Sequence, residues 1–212
     1  MSPLRRHWES SPDDPKLLDL LRDLSLQLGV SKPNVKGVRW SDTLPSGRYA
    51  ETVVSDQPLF RYHQLVIAER MKGKLSPEEW KPLIASAIVY QRKMLPKLRL
   101  NVIKIIGLPY LLAVFAGVAV IAITHNGLPA AGLLFGGIAL IFYGLRRYGQ
   151  DDREARLQAD IEASKVIGKE SLLETLRKIT GLGMPDVDER NSANGRLSDY
   201  PSPNDRILNL QA

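Results

Sequence analysis

The residues able to do chemistry in this chain are few, and their spacing restricts what that chemistry can be. Cysteine is absent, which excludes disulfides, thiolate metal sites and a Cys nucleophile. The histidines are His7, His63 and His125. They fall in a terminal segment, a loop and a turn between two apolar runs, and no two share the spacing that sets a pair of imidazoles on one helix face. Ser86 follows Ala85 within a helical pattern, without the G-x-S-x-G elbow that exposes a nucleophilic serine and with no His or Lys predictably beside it. Asp151, Asp152 and Glu154 form an acidic cluster, and at the expected start of a helix such residues cap free amides more often than they hold a cation. No phosphate-binding loop, dinucleotide fingerprint or RNA-binding motif is present, and Trp8, Trp40 and Trp80 are scattered rather than arranged as a stacking platform.

The elements that must position these residues are of mixed type. Asp14-Pro15 opens a helix in which Leu17, Leu21, Leu24 and Leu28 recur at helical spacing and Gly29 is placed to end it. Short strands are expected at Val35–Val38, Ala50–Val54 and Leu65–Ile67, with Pro45-Ser46-Gly47 as a turn. Ser76 caps the next helix, Pro77 suits its first position and Glu79 completes a capping box, so the helix runs to about Tyr90. Asp151 and Asp152 are expected to start a further helix that stops at Gly168, and Leu172, Leu173, Leu176 and Ile179 mark another. From Gly181 to Asp205 the chain is rich in Gly, Pro, Asp, Asn and Ser, which predicts loop or a flexible tail in which only Ile207, Leu208 and Leu210 dock.

Between these soluble parts lies an apolar region. Ile105 to Thr124 carries no charge, and about 20 helical residues rise roughly 30 Å, the thickness of a bilayer's hydrocarbon core. After His125-Asn126-Gly127 a second uncharged run extends from Leu128 to Leu145. The pattern predicts a transmembrane hairpin within residues 101–147, with spans at about 105–124 and 128–145. Arg92, Lys93, Lys97, Arg99 and Lys104 precede it, Arg146, Arg147 and Arg153 follow it, and the tip has no Lys or Arg. Both outer ends are therefore expected on the cytoplasmic, positive side, with residues 1–100 and 148–212 meeting there. The start of the chain, Met1 to Arg6, has no apolar core segment and is not expected to be a cleavable signal. Ala113 and Gly117, and Gly132 and Gly136, sit four apart and favour close packing within the hairpin.

The order of these features resembles the HtpX-like and CaaX-prenyl-protease-like membrane zinc metallopeptidases. That family writes its active helix approximately L-S-P-E-E-L-x-A-V-L-A-H-E-x-x-H; here the run from Leu75 to Tyr90 is LSPEEWKPLIASAIVY. The third ligand of the family stands in E-x-x-A-D after the hairpin, and the matching run is Arg156-Leu157-Gln158-Ala159-Asp160. YPSPNDRILNL, from Tyr200 to Leu210, is similar to a terminal H-P-x-x-x-x-R-I-x-x-L element, with Pro201, Arg206 and Ile207 kept and Tyr200 in place of His. The resemblance covers roughly Lys16 to Leu210.

It implies an α+β fold: a helix-rich, zincin-like domain with a small sheet, interrupted by the two-helix transmembrane hairpin. It also implies a vacated metal site. Ser86 and Tyr90 stand where the family has two His ligands, Ala87 where it has the general base, and Arg156 where it has the third ligand. Hydroxyls of high pKa are poor zinc donors, a guanidinium is permanently charged, and alanine accepts no proton from a bound water. No catalytic residue, metal or cofactor is therefore expected. The expectation is a catalytically inactive, membrane-anchored protein serving as subunit, scaffold or regulator of a membrane complex, with protein partners and membrane lipid but not nucleic acid. Arg92, Lys93, Lys97, Arg99, Lys104, Arg146 and Arg147 are expected to form a lipid-facing basic anchor of the hairpin. Two other readings stay open: an active zinc peptidase with displaced ligands, and an anionic-lipid or nucleic-acid binding protein that uses the basic segment from Arg92 to Lys104.

Overall fold

The computed structural model describes residues 10–31, 34–46, 49–124, 127–192 and 200–212. His7, Trp8, Gly47, the hairpin tip at His125-Asn126 and the tail at 193–199 lie outside them. The first helix, α1, spans Asp14–Gln27 and buries Leu17, Leu21 and Leu24, with Leu28 at its C-cap. Gly29 then takes φ +62°, a left-handed conformation that ends the helix at little steric cost.

Among the described residues five short strands follow: β1 Gly37–Trp40, β2 Thr43–Ser46, β3 Tyr49–Thr52, β4 Leu59–Arg61 and β5 Gln64–Ile67. They form a mixed three-stranded sheet of order β1-β5-β4, parallel between β1 and β5 and antiparallel between β4 and β5, and a separate antiparallel pair of β2 with β3. The expected strands need correction. The first begins at Gly37 rather than Val35, Val53 and Val54 lie beyond β3, and Pro45-Ser46 belongs to β2 rather than to a turn. A proline is tolerated there because both strands of a two-stranded sheet are edges. Tyr62 and His63, at φ 49° and 60°, turn the chain between β4 and β5. Both left-handed positions are what a two-residue hairpin turn demands, and they are supplied here without the usual Asn-Gly signal.

Helix α2, Pro77–Val89, starts as the sequence specifies: Ser76 accepts from the Glu79 amide at 3.4 Å and the Glu79 carboxylate accepts from the Ser76 amide at 2.8 Å. It ends at about Tyr90, as expected, but the chain stays helical beyond it. A π-helical turn at Tyr90–Met94 leads into α3, Leu95–Val102, and a second at Ile103–Gly107 leads into α4, Leu108–Thr124. In each turn a leucine amide reaches back five residues, Leu95 to the Tyr90 carbonyl and Leu108 to the Ile103 carbonyl. Each of those leucines is followed by a proline, Pro96 or Pro109, whose missing N–H leaves the preceding turn short of a donor.

Helix α5 runs from Gly127 to Ile167, followed by α6 Lys169–Gly181, α7 Pro185–Ser192 and α8 Pro203–Gln211. Asp151 and Asp152 are thus interior to α5 and cap nothing, because the second apolar run and the soluble helix are one continuous element. Residues 185–192, expected as loop, are helical, and Leu208 stays 66% exposed while Leu210 is buried. One core gathers α1, the sheet, α2, α6 and the Ala159–Ala163 face of α5. Trp40 and Trp80 meet edge to face inside it, at 6.2 Å between ring centroids, so the tryptophans are core residues in contact.

The helical stretch Pro77–Ile123 contains a segment long and apolar enough to cross a membrane, and only 6% of that segment is buried within the protein. A core helix of a soluble domain would be mostly covered. Helix α4 lies against α5 with antiparallel contacts, Ala113 and Tyr110 beside Gly137 and Ile106 beside Gly144. The small residues that matter differ in part from those expected. Gly132 and Gly136 have open space where a Cβ would stand, whereas a Cβ on Gly144 would overlap Ile106 Cγ1 and Cδ1. Gly144→Ala should therefore destabilise the helix pair by about 1–3 kcal/mol through overpacking. Gly136→Ala should be close to neutral, as read by thermal unfolding in mild detergent.

Candidate functional site: a guanidinium-centred cleft

Two helices supply the walls of the principal cavity, about 330 Å³ in volume. Leu83, Ser86, Ala87 and Tyr90 recur at helical spacing along α2 and line it, and Asp152, Arg156 and Asp160, four apart on α5, face them across it. Strand β4, through Leu59, Phe60 and Arg61, forms a third wall. The structure thus brings Ser86, Ala87, Tyr90 and Arg156 together in one cleft, with Tyr200 on its rim.

Arg156 is the centre of this arrangement. Its guanidinium carbon lies 4.2 Å from the centroid of the Tyr90 ring and 4.3 Å from that of Tyr200, an aromatic sandwich that stabilises a cation by its ring quadrupoles. Its Nε donates to Asp152 Oδ2 at 2.9 Å, Nη1 to Gln57 Oε1 at 2.7 Å and Nη2 to the Tyr90 hydroxyl at 3.3 Å. Burial would lower its pKa, but Tyr90 and Asp152 outweigh that and hold it above its ordinary value. Tyr90 in turn donates to Asp152, and burial pushes its phenol well above the usual range.

A second layer lies under the cleft. Ser86 Oγ donates to Asp160 Oδ1 at 2.5 Å. Arg206 from α8 grips the same carboxylate through Nε and Nη2, both at 2.8 Å, and reaches Asp56 Oδ2 at 2.8 Å through Nη1. Arg190 from α7 donates to the other oxygen of Asp56 at 2.5 Å and to the Pro201 carbonyl at 3.0 Å. Asp186 links Arg190 to Arg70, which ends the chain on Asp42 at 2.8 Å. Asp56, Asp160 and Arg206 are all but fully buried. Burial alone would raise the Asp56 pKa, yet Arg190 and Arg206 hold it below the usual carboxylate range.

These donors do not fit a zinc ion. Ser86 Oγ is committed to Asp160, Tyr90 keeps its proton, and the Arg156 cation fills the space between the two tyrosine rings. Among the described residues no three His, Cys, Asp or Glu side chains stand close enough to share a metal. His63, in the β4–β5 turn, donates its Nδ1 proton to the Asn34 carbonyl at 3.1 Å. The acidic cluster serves other ends than capping: Asp152 takes Arg156 and Tyr90, and Asp151 takes Arg147 at 3.1 Å.

Of the basic anchor, Arg92, Lys97, Arg99, Lys104 and Arg146 make no ion pair among the described residues. Lys93 and Arg147 differ from the expectation that all of it faces lipid, since they pair with Glu162 at 3.2 Å and with Asp151. Sequence reasoning missed Asp56, Gln57, Arg190 and the β4 wall. Asp160 and Arg206 were legible as retained motif positions, and a buried charge requires an opposite partner, but nothing in the sequence paired them.

The buried network fixes a prediction. Arg206→Met strips Asp160 of its guanidinium and leaves Asp56 with Arg190 alone, and should cost about 3–5 kcal/mol, as removal of one partner of a buried pair does. The Asp56 pKa is lowered by folding, so its contribution is complete above the unfolded value and fades as pH falls below about 4. Thermal unfolding followed against pH should show the gap between native and variant protein narrowing in that acid range.

No protein-family model, curated protein or solved structure matches the chain.

Proposed function

We propose that the protein is a catalytically inactive, membrane-anchored relative of the zinc metallopeptidases, acting as a binding subunit or regulator in a membrane complex. The observation that carries this reading is the convergence of Ser86, Ala87, Tyr90, Arg156 and Tyr200 on one cavity. Those positions are scattered over more than a hundred residues of sequence, and on this reading they are the family's metal-ligand positions. The Arg156 guanidinium takes the metal's place as the local positive charge, held by aromatic faces and a carboxylate instead of by imidazoles.

A binding role is supported by the third wall. Strand β4 pairs with β5 on one side only, and its other edge meets the cavity. An exposed strand edge offers main-chain groups to an extended peptide. The Phe60 carbonyl there accepts a long contact of 3.5 Å from the Gln91 amide, which a peptide strand can displace.

Restoring the ligands tests the reading directly. Ser86→His, Ala87→Glu, Tyr90→His and Arg156→Glu, combined in one folded variant, should bind about one zinc per chain, as three protein ligands with an open fourth position do. The native chain should hold no stoichiometric zinc. Zinc in the native protein would favour the displaced-ligand peptidase, and a folded variant that binds none would remove the vacated-site reading.

The membrane part of the proposal is two spans with both ends on the positive side. It draws on the uncharged runs, on the unpaired cations that flank them, and on the antiparallel contact of α4 with α5. Because the chain has no cysteine, single substitutions report sidedness cleanly. Asn126→Cys and Ser171→Cys should react with an impermeant maleimide from opposite faces of sealed vesicles; labelling from the same face would overturn the hairpin.

A further inference from the structure

Beside the cleft a second, larger groove of about 740 Å³ runs along α3. Its sides are unlike. Arg92 and Arg99, both exposed, provide two cations without an acidic partner among the described residues, while Val30, Leu95, Leu100 and Ile103 provide an apolar floor. Arg92 from the π-helical turn before α3, Pro96 and Arg99 from α3 and Ile103 just after it line the groove together, so the cations and the apolar floor share one side. Leu100 is 52% and Ile103 63% exposed, and the uncharged run begins two residues later at Ile105.

From this we infer that the groove is a site for one anionic phospholipid, its phosphate held between Arg92 and Arg99 and an acyl chain laid over Leu100 and Ile103 toward the span. The inference rests on the membrane-anchored reading, since it places the groove at head-group depth. Charge complementarity selects the head group: guanidinium forks bind phosphate oxygens with charge-assisted hydrogen bonds. The apolar floor selects a lipid over a free anion, which would leave those side chains in contact with water. Gln91, Leu95 and Arg99 line this groove and the Arg156 cleft alike. A bound head group therefore stands at the mouth of the cleft, and lipid becomes part of the surface that a partner meets.

The test uses the full chain in mild detergent, with lipid retention read by native mass spectrometry. Phosphatidylglycerol and phosphatidylcholine of identical chains are added at equal concentration. The native protein should retain one phosphatidylglycerol in preference to phosphatidylcholine, and Arg92→Gln with Arg99→Gln should weaken that retention by about tenfold or more, the loss expected for charge-assisted contacts. Arg146→Gln with Arg147→Gln, which removes equal charge from the other flank, should change it by less than about twofold. Equal loss in the two double variants, or no preference between the lipids, overturns the site and leaves only a general basic belt. Displacement by millimolar inorganic phosphate overturns it too, in favour of a bare anion site. Release of the protein from membranes by alkaline carbonate without detergent would instead defeat the membrane reading itself, so the two failures are separable.

Discussion

Arg206 is the residue on which the fold turns. It comes from the last helix, yet its guanidinium closes on Asp160 of α5 and on Asp56 of the segment before β4, with all three side chains out of water. Each of those charges would be costly alone, and the geometry that makes the trio tolerable is available only when α8, α5 and the sheet are all in place. The same trio fixes both walls of the cleft, because Asp160 holds Ser86 and the Asp56 segment delivers Gln57 to Arg156. Arg190, Asp186, Arg70 and Asp42 extend the alternation of sign outward to the surface. The cleft is thus supported from beneath by fixed, mutually paired charges.

On that support the groups of the cleft hold one another. A cation of fixed charge, two tyrosines and a carboxylate pack together, and the hydroxyl of Ser86 satisfies a buried aspartate. The set is complementary as a group: Tyr90 donates to Asp152, Asp152 accepts from Arg156, and Arg156 stacks on Tyr90.

How much of this was legible in the sequence depends on the range of the interaction. Local signals were clear: the Ser76–Glu79 capping box, the leucines of α1 and the glycine stops at Gly29 and Gly168 each stand as the residue pattern requires. The strands were harder, since segments of three or four residues carry little alternation and the β4–β5 turn uses Tyr62-His63 where glycine is the usual sign. The fusion of an apolar run with a polar helix across Asp151 was invisible to composition, which changes there while the backbone does not. At the site, the positions on α2 and α5 were legible through motif order, but Asp56 and Gln57 were not. A single sequence does not say which carboxylate in a loop is drawn inside to meet an arginine 150 residues away.

The π-helical turns give this architecture a mechanical property. From Pro77 to Ile123 the chain is one uninterrupted helical stretch, so the wall of the cleft and the apolar segment are parts of the same rod. The rod's weak points are Tyr90–Met94 and Ile103–Gly107, where the ordinary ladder is broken and bends concentrate. On the proposed reading of that segment as a span, a tilt that relieves a mismatch with the bilayer is absorbed at one of these turns or passed along the rod. The first of them begins at Tyr90 itself, whose ring covers Arg156. The apolar segment and the cover over the guanidinium are in this way joined by a single lever.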